Sequence, residues 1–64
     1  MSFNKLNTIF DHLQDAVNDC QSDVHKFVEG NNSAGTRVRK AMQSVKSLAQ
    51  EVRVEVQDQK NRQF

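Results

Sequence analysis

Between Phe3 and Phe27 the apolar residues recur at positions 3, 6, 10, 13, 17, 20, 24 and 27. This unbroken alternation of threes and fours is the heptad signature of a helix that packs along one seam, and it excludes the two-residue period of a strand. Taking Phe3 as heptad position a, the a residues are Phe3, Phe10, Val17 and Val24, and the d residues are Leu6, Leu13, Cys20 and Phe27. Ile9 and Ala16 at g and Val28 at e widen the stripe. The pattern predicts a first helix over about 3–29, with Ser2 as N-cap and Gly30 as the residue that ends it. A helix of ~26 residues is ~39 Å long.

A second pattern follows a short turn at about 30–32. Asn32 or Ser33 is placed to cap it, and apolar residues then fall at Ala34, Val38, Ala41, Val45, Leu48 and Val52. Met42, Ala49 and Val56 lie beside that seam at e, and Val54 falls outside it. The second helix is expected over about 33–60, with residues 61–64 frayed. Two helices of matched length joined by so few residues fold back as an antiparallel hairpin. Facing residues then have numbers summing to ~62, with Phe27 near Ala34 and Val38, Val17 near Val45, and Phe10 near Val52.

The expected fold class is therefore all-α, one hairpin domain over 1–64. Its apolar stripes carry three positions per heptad, wider than a single partner helix covers. A chain of 64 residues buries only ~60% of its unfolded surface, and its single cysteine forms no internal disulfide. The hairpin is accordingly expected to form a homodimer, a four-helix bundle. Its seam would be built from Phe3, Leu6, Phe10, Leu13, Val17, Cys20, Val24 and Phe27 of the first helix. The second helix would supply Val38, Ala41, Met42, Val45, Leu48, Val52 and Val56.

Charge divides along the chain. Residues 1–32 hold two lysines against five acids, a balance of −3; residues 33–64 hold seven basic residues against three acids, a balance of +4. Asp11, Asp15, Asp19 and Asp23 are spaced by four, whereas Arg39, Lys46, Arg53 and Lys60 are spaced by seven at position b. Steps of four and of seven drift in opposite senses around a helix, so the two rows do not face each other along their length. Asp23 and Arg37, both at g, are placed to pair across the hairpin. The b-row cations point away from it, with Gln43, Gln50 and Gln57 beside them at f. Such a rail is either a solvated face or a contact surface for an anion.

Arg37, Arg39 and Lys40 stand near the start of the second helix, where the macrodipole disfavours cations. Free backbone N–H groups, a positive dipole end, two arginines and the side-chain-free Gly35 are the ingredients of a phosphate site. Local neutralisation by Asp23 and Glu29 is the alternative.

The segment Gly30-Asn31-Asn32-Ser33-Ala34-Gly35-Thr36-Arg37-Val38-Arg39-Lys40, with Leu48-Ala49-Gln50-Glu51-Val52-Arg53-Val54-Glu55 downstream, resembles the bacterial linker-histone-like family. These are the chlamydial-type histone-like nucleoid proteins and their short relatives. The likeness covers roughly residues 27–60. It implies a nucleoid-associated architectural protein that binds duplex DNA without sequence preference, using Arg37, Arg39, Lys40 and Arg53. Long members of the family carry a lysine- and alanine-rich tail, so this chain reads as a short form, with avidity from an oligomer supplementing a net charge of +1.

Other chemistry finds little support in the residues. Cys20 reads as a small core residue, or else as a thiol pairing two protomers. His12 and His25 sit on the outer face, no metal-ligand spacing is present, and two helices offer no cleft for an enzyme. No cofactor, small-molecule substrate or membrane contact is expected, and the location expected is cytoplasmic, at the nucleoid. A homo-oligomeric helical module that meets proteins and not nucleic acid is the alternative function.

Overall fold

The computed structural model describes residues 4–62 and is all-α: α1 over Lys5–Asp19, α2 over Gln21–Val28 and α3 over Asn32–Arg62. α1 and α2 together run antiparallel to α3 as one hairpin. Its register follows the expected sum, since Phe27 lies on Gly35, Asp23 pairs with Arg37 and Asn4 pairs with Gln59.

The first helix is thus two helices, where the apolar pattern predicted one. They meet at Cys20, whose backbone N–H donates to the carbonyls of Val17 and Asn18 instead of continuing the i−4 ladder. The Cys20 thiol also bonds the Val17 carbonyl, at 3.2 Å. Asn18, Asp19, Ser22 and Asp23 surround the break, and all are weak helix formers. The caps differ as well. Asn4 opens α1, its Oδ1 accepting the Leu6 N–H at 2.9 Å. The proposed cap Ser2, like the seam residue Phe3 and the terminal Phe64, lies outside the described residues.

At the turn, Gly30 adopts φ 110°, a conformation only glycine takes readily. The Gly30 N–H donates to Phe27 (2.9 Å) and the Asn31 N–H to Lys26 (2.9 Å), which together make a Schellman motif. Asn31 then serves a second time, its Oδ1 accepting the Ala34 N–H at 3.1 Å to start α3. One residue closes both helices, and it is Asn31, not Asn32 or Ser33. α3 also continues through Arg62, so Asn61 and Arg62 are helical where fraying was expected.

The seam itself is rotated on the first helix. α3 uses its a and d positions as expected, with Ala34 buried and Val38, Ala41, Val45, Leu48 and Val52 half-buried. From the first helix, however, d and g face α3: Ile9 and Cys20 are buried, and Leu6, Leu13, Ala16 and Asp23 are half-buried. The a row is left out, with Phe10 46%, Val17 47% and Val24 42% exposed. In this register Cys20 lies opposite Ala41 and Ala16 opposite Val45, and these small side chains let the helices approach closely, which a seam of Phe10 and Val17 would prevent. Phe27, also expected in the seam, is exposed at its edge with its ring over Gly35.

The open end of the hairpin is closed by polar groups. Gln59 Nε2 donates to Asn4 Oδ1 (2.8 Å) and to Glu55 Oε2 (3.0 Å). Glu55, 7% exposed at a d position, also receives Arg62 Nη2 at 3.1 Å and has Lys5 Nζ at 4.0 Å. The Gln59 hydrogen bond above all, then Lys5 and Arg62, lowers the Glu55 pKa against the opposing effect of burial. A folded-state pKa below the unfolded one gives stability that is present above the unfolded value and lost as pH falls through the folded value.

The hairpin measures 52 × 22 × 11 Å, so its thinnest dimension is one helix diameter. Its apolar interior among the described residues is limited to Ile9, Cys20 and Ala34. No helix among the described residues is long and apolar enough to cross a membrane.

Candidate nucleic-acid interface

A plate one helix thick has two faces, and helical geometry assigns each heptad row to one of them. On the first face lie the a row of α1 and α2 (Phe10, Val17, Val24) and the e row of α3 (Met42, Ala49, Val56). A shallow groove lined by Val17, Cys20, Val24 and Met42 shows the two rows meeting across the hairpin. The opposite face holds the g row of α3, Arg37, Ser44, Glu51 and Asp58, beside Lys5, His12 and Asp19 of α1.

The described ion pairs belong to that second face and to the clasp. Arg37 Nε meets Asp23 Oδ1 at 3.0 Å, as the shared g position led us to expect. Lys5 and Arg62 meet Glu55. Arg37 is therefore neutralised locally, the alternative that the sequence had left open. With α3 beginning at Asn32, Arg37 is also past the first turn, where the macrodipole has largely decayed.

Two further ingredients of a helix-start phosphate site are already occupied. The Ala34 N–H is taken by Asn31. Gly35 is covered, because a Cβ there would come within 2.5 Å of the Phe27 ring. Its missing side chain serves helix packing and leaves no open approach for an anion. Nor do the three cations converge. Consecutive residues are ~100° apart around a helix, so Arg37 and Lys40, three apart, share one side of α3 while Arg39 points to another.

Arg39 instead joins Lys46, Arg53 and Lys60. All four are exposed, and none forms an ion pair among the described residues. Steps of seven residues place them ~10 Å apart in a line ~32 Å long at the edge of the apolar face. That spacing exceeds the ~8 Å Debye length at physiological salt, so the charges repel one another little. Gln43, Gln50, Lys46 and Arg53 line one shallow groove with Ser47 and Ala49, which gives cations flanked by amide donors over a small-residue floor. Every carboxylate of the chain lies on other rows, since the a and e rows of the first helix and the b and e rows of α3 contain none. Lys40 is exposed on a different side of α3.

The polar end of the seam, Glu55 and Gln59, escaped sequence reasoning because the apolar repeat stops at Val52. Continuing the a/d count through 55 and 59 would have located it.

No curated protein and no solved structure matches the chain. A family model described as histone H1-like protein Hc1 matches residues 7–62. The match takes in α1 and α2, which the sequence resemblance had reached only as a heptad pattern. Covering 56 of 64 residues, it shows that the chain belongs to the histone H1-like Hc1 family.

Proposed function

We propose that this chain is a nucleoid-associated architectural protein that binds duplex DNA without sequence preference. The observation that carries the reading is the row Arg39, Lys46, Arg53 and Lys60, four exposed cations without acidic partners among the described residues, in a chain of net charge only +1. Membership of the histone H1-like family supports DNA as the anion. The row fits a phosphate backbone because its charges sit on long, mobile side chains beside amide donors, a combination that positions a duplex without reading base edges. Arg37 and Lys40, neighbours on another side of α3, are auxiliary contacts.

The exposed apolar rows support a homodimer, which doubles the number of cations presented to DNA. Dimerisation also answers the scarcity of interior in the single hairpin. The same rows favour the alternative, a protein-interaction module with no nucleic-acid role. Titration of two fluorescent duplexes of unrelated sequence at ~50 and ~200 mM salt separates these readings. DNA binding predicts equal affinity for both duplexes and a steep loss with salt. No binding at the lower salt overturns it in favour of the module.

A further inference from the structure

We infer that two hairpins stack through the face bearing Phe10, Val17, Val24 and Met42, with α3 of each lying on α1 and α2 of the other. The dimer thereby turns its two cationic rows to opposite edges and bridges two duplexes.

A second copy is the occupant that the dimensions favour. The face measures 52 × 22 Å, a footprint of ~1,100 Å² that exceeds the ~800 Å² per partner of a standard interface. The accessible surface of 5373 Å² is likewise ~1,200 Å² above the ~4,200 Å² expected for a compact monomer of 7.3 kDa. Two one-helix-thick plates joined on this face give the two-layer architecture that a stable domain requires. The opposite face, with Asp19, Ser44, Glu51 and Asp58, is polar and carries the Asp23–Arg37 pair.

Charge then selects the arrangement. Around α3 the b row lies just beyond the e row, so Arg39, Lys46, Arg53 and Lys60 border the interface. If α3 packed on the partner's α3, the two cationic rows would run side by side on one edge. If α3 packs on the partner's first helices, each row meets the neutral e-row amides Asn7, Gln14 and Gln21. The second arrangement avoids like-charge contact. With helices ~10 Å apart, the rows then occupy diagonal corners roughly 25 Å apart and point away from each other. One duplex cannot engage both rows in that geometry, whereas two duplexes can.

This inference rests on the reading of the b row as a phosphate contact, and the test separates the two. A spin label on Gln50→Cys, with Cys20→Ala leaving a single thiol, reports the arrangement without DNA. The expected distance between protomers is roughly 30 Å, against roughly 15 Å for α3 on α3. The shorter distance, or a monomeric mass at micromolar concentration, overturns the stacking. Recovery of a free labelled duplex by protein held on a bead-bound duplex reports bridging. Wild type is expected to recover it, and Val17→Glu, which keeps the row but splits the dimer, is expected to retain single-duplex binding and lose recovery. Circular dichroism checks that the variant remains helical, and should it unfold, the label distance decides. Single-duplex binding without recovery by wild type overturns bridging alone. No binding to either duplex overturns the DNA reading, and bridging with it.

Discussion

The two faces of the hairpin are built from the same two helices and differ in how their polar groups are satisfied. On one face Arg37 meets Asp23, and the clasp at the open end of the hairpin gives Glu55 three partners. On the other, Met42, Val17 and Val24 are exposed and the neighbouring cations form no ion pair among the described residues. A polar face open to water needs nothing further from outside. One that leaves apolar rows and cations unanswered is incomplete by itself, and the proposed second copy and duplex complete it in turn.

The contrast is most sharply broken by placing a carboxylate on each face in turn. Met42→Glu and Ser44→Glu lie two residues apart on opposite faces of α3. Met42→Glu would leave an unpaired charge in the dimer contact, at a cost of about 3–5 kcal/mol, and is expected to raise the dimer dissociation constant by at least two orders of magnitude. Ser44→Glu is expected to leave it unchanged. Sedimentation of both variants checks this, and equal effects would erase the distinction between the faces.

Next in size is Gly30→Ala. At φ 110° a Cβ is strained, and a loss of about 1–2 kcal/mol in urea unfolding is expected. Because the turn serves both faces alike, dimerisation per folded chain should be unaffected.

Gly35→Ala sharpens the account of packing through a change of sign. Against the Phe27 ring, an added methyl forces a shift costing about 1–3 kcal/mol, partly offset by about 1 kcal/mol of helix propensity. With Phe27→Ala in place, the obstruction disappears and the same substitution is expected to stabilise by about 1 kcal/mol. Urea unfolding of the four proteins in the cycle measures both signs, and a stabilising effect in the wild-type background would return Gly35 to the role of an open anion approach.

Smallest of all, Asp23→Asn removes an exposed pair and is expected to cost only about 0.2–1 kcal/mol. It also frees Arg37 for an anion. A rise in DNA affinity after Asp23→Asn would mean that the polar face too contributes to binding once its neutralisation is lifted.

Much of this architecture was legible in the chain. Gly30, the register and the Asp23–Arg37 pair follow from the heptad count and from the short turn. The rotation of α1 was not legible, because Phe10–Val17–Val24 and Ile9–Ala16 are both apolar and periodicity alone ranks neither. What selects between them is side-chain volume, with small Ala16 and Cys20 admitting α3 where larger residues would hold it off. The break at Cys20 was hidden for a related reason, since the apolar spacing passes through it without a miss. At the candidate interface, the b row could be read from its period of seven. The covering of Gly35 by Phe27 needed the tertiary contact, whereas the separation of Arg39 from Arg37 and Lys40 follows from helical periodicity.

The central claim, that DNA phosphates meet the b row of α3, is tested most directly by the salt dependence of duplex binding in wild type and in Arg39→Gln/Lys46→Gln/Arg53→Gln/Lys60→Gln. Each phosphate contact contributes about −0.9 to the slope of log K against log salt, so four contacts per hairpin predict a wild-type slope of about −3.6. The account predicts that the fourfold variant keeps its helicity while the slope collapses toward zero and binding is lost. A variant that binds with the wild-type slope would contradict it.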